Sequence, residues 1–71
     1  MKDLFYKNLG INIKKYREKA GFTQQMLADK INKSLNFVGK IEVAFSKPSL
    51  DTVIDIASSL NVSVSELTKF D

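Results

Sequence analysis

Four hydroxyl side chains, Thr23, Ser34, Ser49 and Ser63, each stand at the head of a stretch whose apolar residues recur at helical spacing. A hydroxyl there accepts a hydrogen bond from one of the amides that a helix leaves unpaired at its start, so each marks a helix N-terminus. Only 3 Gly and 1 Pro occur, so the chain is punctuated mainly by these caps. An all-α fold of five short helices follows. In the first segment Leu9, Ile13, Tyr16 and Ala20 fall on one stripe with Lys14, Lys15 and Lys19 off it, and Gly21 is suited to end the helix. The second buries Leu27, Ala28 and Ile31 and stops near Asn32, which tolerates a left-handed backbone. The third runs from Ser34 to about Val43 on Val38 and Ile41. Lys47-Pro48 closes the next loop, because Pro disfavours helix in the residue before it. The fourth helix presents Leu50, Val53, Ile54, Ala57 and Leu60 as a wide apolar stripe, with Asp51 and Asp55 facing away. Ser63 and Glu66 form a capping box that opens a last helix carrying Leu67 and Phe70.

With 71 residues the chain is expected to be a single domain, 1–71. A domain of this size removes only about 60% of its unfolded surface from water, which leaves a thin stability margin that a partner subunit would widen. Cys and His are both absent, which excludes disulfides, thiolate or imidazole metal sites and imidazole proton transfer. The three Gly are scattered at 10, 21 and 39, so there is no phosphate-cradling loop, and no acid pair marks a site. No catalytic residue, cofactor or metal is expected, and the chain does not read as an enzyme. Apolar runs reach three residues, against the roughly 18 of a membrane span. Asp3 and Lys7 interrupt any apolar leader after Lys2. A cytoplasmic protein without membrane contact is expected.

Charge is unevenly distributed. Residues 1–47 carry 10 basic and 4 acidic side chains, whereas residues 48–71 carry 1 and 4. The front two-thirds is thus suited to a polyanion. At about 100° per residue, the face of the third helix opposite Val38 and Ile41 holds Asn36 and Lys40, with Gly39 beside them. Asn pairs with the major-groove edge of adenine, and Lys reaches guanine O6 and N7. A merely solvated surface is the plain alternative.

Two short helices joined by a tight turn and followed by a Pro-ended loop, taken from Leu9 to Leu67, resemble the lambda-repressor-like helix-turn-helix family, also called XRE or Cro/C1-type. The pattern runs through Ile13, Arg17, Gly21, Thr23-Gln24, Leu27-Ala28, Ser34, Val38, Ile41-Glu42, Pro48-Ser49-Leu50, Ile56-Ala57, Leu60 and Val62-Ser63. The resemblance implies a compact five-helix domain with its motif at 24–43. By the same resemblance Ser34, Leu35, Asn36 and Lys40 face base edges, and Gln24, Lys33, Ser46 and Lys47 meet phosphates. Gln24 would also brace the recognition helix. Arg17 and Glu42 would pair between the first and third helices, and Val64, Leu67 and Phe70 would lie in a twofold contact.

The function so implied is sequence-specific binding of double-stranded DNA by a transcriptional regulator. Its expected form is a homodimeric repressor on an inverted repeat. The alternative is a protein-interaction module or antitoxin-like subunit with a protein partner. Several positions depart from the family's pattern. Asn32 stands where Gly is common, Lys33 where an apolar residue is, and Gly39 where a small polar one is. Leu35 replaces a polar residue and has no group to hydrogen-bond a base, and Ala44 replaces the Gly that follows the third helix. Phe37 and Phe45 raise the thought of base stacking, but two separated rings are expected to serve packing.

Overall fold

The computed structural model describes residues 2–70. Its helices are α1 (Lys2–Lys19), α2 (Gln24–Lys30), α3 (Leu35–Glu42), α4 (Leu50–Leu60) and α5 (Val64–Leu67), with no strand among the described residues. Each of the four hydroxyls caps its helix: Thr23 Oγ1 accepts from the Met26 amide at 3.1 Å, Ser34 Oγ from Phe37 at 3.1 Å, Ser49 Oγ from Thr52 at 3.2 Å and Ser63 Oγ from Glu66 at 2.9 Å. Glu66 returns the bond by accepting from the Ser63 amide at 3.0 Å, which completes the capping box.

Helix ends use the left-handed region four times, at Gly21 (φ 78°), Asn32 (φ 58°), Ala44 (φ 61°) and Asn61 (φ 58°). Gly and Asn accept this backbone readily, whereas Ala does so at some cost.

α2 and α3 pack together, and α1 lies across α3. The core is built from Leu9 and Ile13 of α1, Leu27 and Ala28 of α2, Val38 and Ile41 of α3, and Val53, Ile56, Ala57 and Leu60 of α4, closed by Leu67. Gly10 permits the α1–α3 approach, since a β-carbon there would lie 2.6 Å from the carbonyl oxygens of both Ile41 and Glu42. The end of the chain is tied back to α1 by Asn12, whose Nδ2 donates to the carbonyls of Leu67 (2.8 Å) and Lys69 (3.1 Å).

Several expectations need correction. Ala20 is exposed, because it lies beyond α1 in the turn to Gly21. Leu50 (69% exposed) and Ile54 (47%) are outside the core: the buried arc of α4 is centred on Val53, Ile56, Ala57 and Leu60, and the other two border it. Thr52 is buried instead, with Oγ1 accepting from Ser49 Oγ at 3.0 Å. Phe70 lies past α5 and packs edge-on against Phe5, with ring centroids 5.2 Å apart. Phe37 packs against the core as expected, but Phe45 is 77% exposed. Among the described residues no helix is long and apolar enough to cross a membrane.

Candidate nucleic-acid interface

The turn between α2 and α3 is short because Ile31 anchors it in the core and Asn32 reverses the backbone. The Lys33 amide donates to the Ala28 carbonyl at 2.9 Å, so a free end of α2 is satisfied within the turn. Ser34 then starts α3, which has eight residues and is about 12 Å long at 1.5 Å per residue. Val38, Ile41 and Glu42 face inward, while Leu35 and Asn36 are exposed and Gly39 and Lys40 are half-buried. Because Ser34 Oγ accepts from the Phe37 amide, its hydroxyl proton remains available to an external acceptor.

α3 is braced at its far end by three polar side chains. Arg17 donates through Nε to Glu42 Oε2 at 2.6 Å and through Nη2 to Oε1 at 3.1 Å, a bidentate pair. Its Nη1 donates to the Phe22 carbonyl at 2.8 Å, which fixes the loop ahead of α2. Gln24 Nε2 completes the set by donating to Glu42 Oε1 at 3.0 Å. The bond to Glu42 raises the Arg17 guanidinium above its ordinary range, and the opposing effect of burial is the smaller one. The side chains of Arg17 and Glu42 are only 8% and 2% exposed. The pair joins α1 to α3 and Gln24 adds α2 at the same carboxylate, with desolvation offsetting much of the pair's attraction.

The cations expected near phosphates lie around this frame. Lys33 is exposed, with its ammonium 5.2 Å from the Phe37 ring centroid. Lys47 is exposed and lies 3.7 Å from Asp3 Oδ1 and 5.5 Å from the Tyr6 ring. The Asp3 carboxylate is 97% exposed, so this pair holds Lys47 weakly. Ser46 is half-buried, and its amide donates to the Lys40 carbonyl at 3.2 Å. The bond from Gln24 to Glu42 is the brace to α3 that the resemblance implied, although the sequence did not name Glu42 as its partner. Sequence reasoning missed an open cleft of about 450 Å³ in which Lys14 and Lys15 of α1 adjoin Gln24, Glu42 and Val43. Those two lysines were recognisable as lying off the buried stripe, but nothing in the spacing joined them to Gln24.

Of the three residues expected at a twofold contact, Leu67 is corrected: it is 0% exposed and belongs to the core of the chain itself. Val64 and Phe70 are half-buried and adjoin that core. Val64 shares an apolar cleft with Phe5, Pro48, Leu50 and Val53.

The chain matches known proteins along this same frame. It is 35% identical over 60 residues to the HTH-type transcriptional regulator ImmR of Bacillus subtilis (strain 168), a match that takes in 84% of this chain and 47% of that protein. The chain thus spans about half the length of this curated relative. The crystal structure of SinR, the master regulator for biofilm formation, in complex with DNA superposes with a TM-score of 0.80 at 29% identity, covering 86% of this chain and 98% of that one. The restriction-modification controller protein C.AhdI of Aeromonas hydrophila shares the fold at 24% identity, with a TM-score of 0.84 over 87% of this chain and 94% of that one. The sequence pattern described as "Helix-turn-helix" matches residues 13–67. With that match over most of its length and with the five-helix frame that carries it, the chain belongs to the lambda-repressor-like, or XRE-type, helix-turn-helix family.

Proposed function

We propose that this chain is a sequence-specific regulator of transcription that inserts α3 into the major groove of double-stranded DNA. The observation that carries the reading is the contrast between the two faces of α3. Its inner face is locked by Val38, Ile41 and the Arg17–Glu42–Gln24 brace, while Leu35, Asn36 and Lys40 lie along the other. Asn36 and Lys40 supply hydrogen bonds to base edges, Leu35 supplies a surface for a thymine methyl, and Ser34 offers a hydroxyl at the helix start. Gln24, Lys33, Ser46 and Lys47 meet the phosphate backbone and set the register, with the motif at 24–43 acting as a unit. SinR, 29% identical, was solved in complex with DNA, which supports the reading.

Repression by occupancy of an inverted repeat is the form we favour. Two copies related by a twofold axis would present their α3 helices about 34 to 36 Å apart, one turn of DNA. The surface available for that contact is Val64 and Phe70 together with Leu50 and Ile54, both exposed. The protein would act in the cytoplasm. A protein-interaction module is the second reading, and the exposure of Val43 (75%) and Phe45 (77%) favours it. A stoichiometric unrelated protein at purification would support that reading instead.

Duplex binding measured across a salt series tests the proposal. Each phosphate neutralised contributes about −0.9 to the slope of log affinity against log salt. Lys33→Ala and Lys47→Ala are each expected to weaken all duplexes alike and to reduce the slope by about 1. Duplex binding without salt dependence contradicts the assignment.

A further inference from the structure

Phe45 is 77% exposed, so it adds almost nothing to the core. The loop nevertheless holds it in a defined place. Ala44 adopts φ 61° and turns the chain back on the end of α3. The amides of Phe45 and Ser46 then both donate to one acceptor, the Lys40 carbonyl, at 2.8 and 3.2 Å. Residue 45 is thereby returned to residue 40, and the Phe45 ring centroid lies 5.6 Å from the Lys40 ammonium. Lys40 is half-buried, although it lies on the outward side of α3.

Two other rings beside the interface differ in one respect. Phe37 near Lys33 and Tyr6 near Lys47 are partly buried and pack against the core, so packing accounts for them without reference to the lysines. Phe45 has no such role. An ammonium over a ring face is attracted by the ring quadrupole, and the ring also limits how far a flexible Lys stem swings. The restriction bears on discrimination. A Lys that rotates freely finds phosphates as readily as bases, whereas one held across the helix face meets a particular base edge.

We propose that Phe45 is a positioning residue for base recognition: its ring steers the Lys40 ammonium across the outward face of α3 and so sets how strictly Lys40 distinguishes one base. The inference rests on the reading of α3 as the base-reading helix.

The test uses one duplex, the best site obtained by selection with the unmodified chain, made with each of the four bases at the position whose preference Lys40→Ala abolishes. Affinities are compared for the unmodified chain, Phe45→Leu, Phe45→Tyr, Lys40→Ala and Lys40→Ala with Phe45→Leu. Phe45→Leu is expected to lower discrimination at that position about two- to fivefold, the range that an exposed cation–π contact corresponds to. The salt slope and the thermal midpoint should stay unchanged. Phe45→Tyr should retain the preference, and Phe45→Leu should have no further effect once Lys40 is Ala. A uniform loss of affinity that persists in the Lys40→Ala background would show Phe45 touching DNA itself and would overturn the proposal. So would unaltered discrimination in Phe45→Leu while Lys40→Ala abolishes it. If Lys40→Ala changes the preference at no position, base reading by Lys40 fails first, and the role of Phe45 falls with it.

Discussion

A β-carbon on Gly10 would sit 2.6 Å from two backbone oxygens of α3, whereas one on Gly39 would meet nothing nearer than Gln24 Oε1 at 3.9 Å. Both residues lie inside helices, where Ala is favoured over Gly by about 0.5 to 1 kcal/mol. Opposite outcomes follow from one substitution. Gly39→Ala is expected to stabilise the domain by about 0.5 to 1 kcal/mol in urea unfolding, since its contact is an ordinary one. Gly10→Ala is expected to destabilise it by about 1 to 3 kcal/mol, because carbonyls fixed in a helix end have no room to yield and the overpacking outweighs the propensity gain. The buried pair allows a second test. Arg17→Met leaves the Glu42 carboxylate buried with Gln24 as its remaining partner and should cost about 3 to 5 kcal/mol. Arg17→Met combined with Glu42→Leu should cost less than Arg17→Met alone. A larger loss in the double variant would mean that the pair stabilises the fold outright rather than ordering its parts.

At the scale of elements, α3 depends on a cap that is also a candidate contact. Ser34→Ala removes the acceptor for the Phe37 amide and is expected to lower stability by about 1 kcal/mol, with Ser34→Asp retaining most of it. Near-normal stability in Ser34→Ala would show that the neighbouring helices alone set the start of α3. The same chemistry explains what was legible in advance. Thr23, Ser34, Ser49 and Ser63 announce four helix starts because capping is local and needs only the next three residues. Burial is less local. Leu50 and Ile54 have the spacing of a core stripe, yet whether that stripe is covered depends on where α1, α2 and α5 end. Leu67 carried the opposite ambiguity, since an apolar residue near a chain end suits a surface contact or the last piece of a core. Ala44 shows that a turn geometry persists without its usual Gly when the Lys40 carbonyl collects two amides on the far side.

For the whole molecule, α3 packs on α1 and α2 on α4 within a body about 30 × 21 × 20 Å, and the first 47 residues carry most of the positive charge. The candidate site was legible in part. Asn36 and Lys40 follow from the helical angle against Val38 and Ile41, which needs no tertiary knowledge. The bond from Gln24 to Glu42 joins residues 18 apart, and the cleft of Lys14 and Lys15 joins α1 to α2 and α3. Contacts between elements of that kind leave no periodic trace in a sequence. On the proposed function, the outward face of α3 reads bases. Selection from a randomised duplex pool at one fixed salt concentration tests it most directly, with the unmodified chain compared against Asn36→Ala plus Lys40→Ala. An enriched inverted repeat is expected, whose sequence blurs in the variant while salt-sensitive duplex binding remains. A folded, unmodified chain that binds duplex in a salt-sensitive way yet enriches no sequence would contradict it.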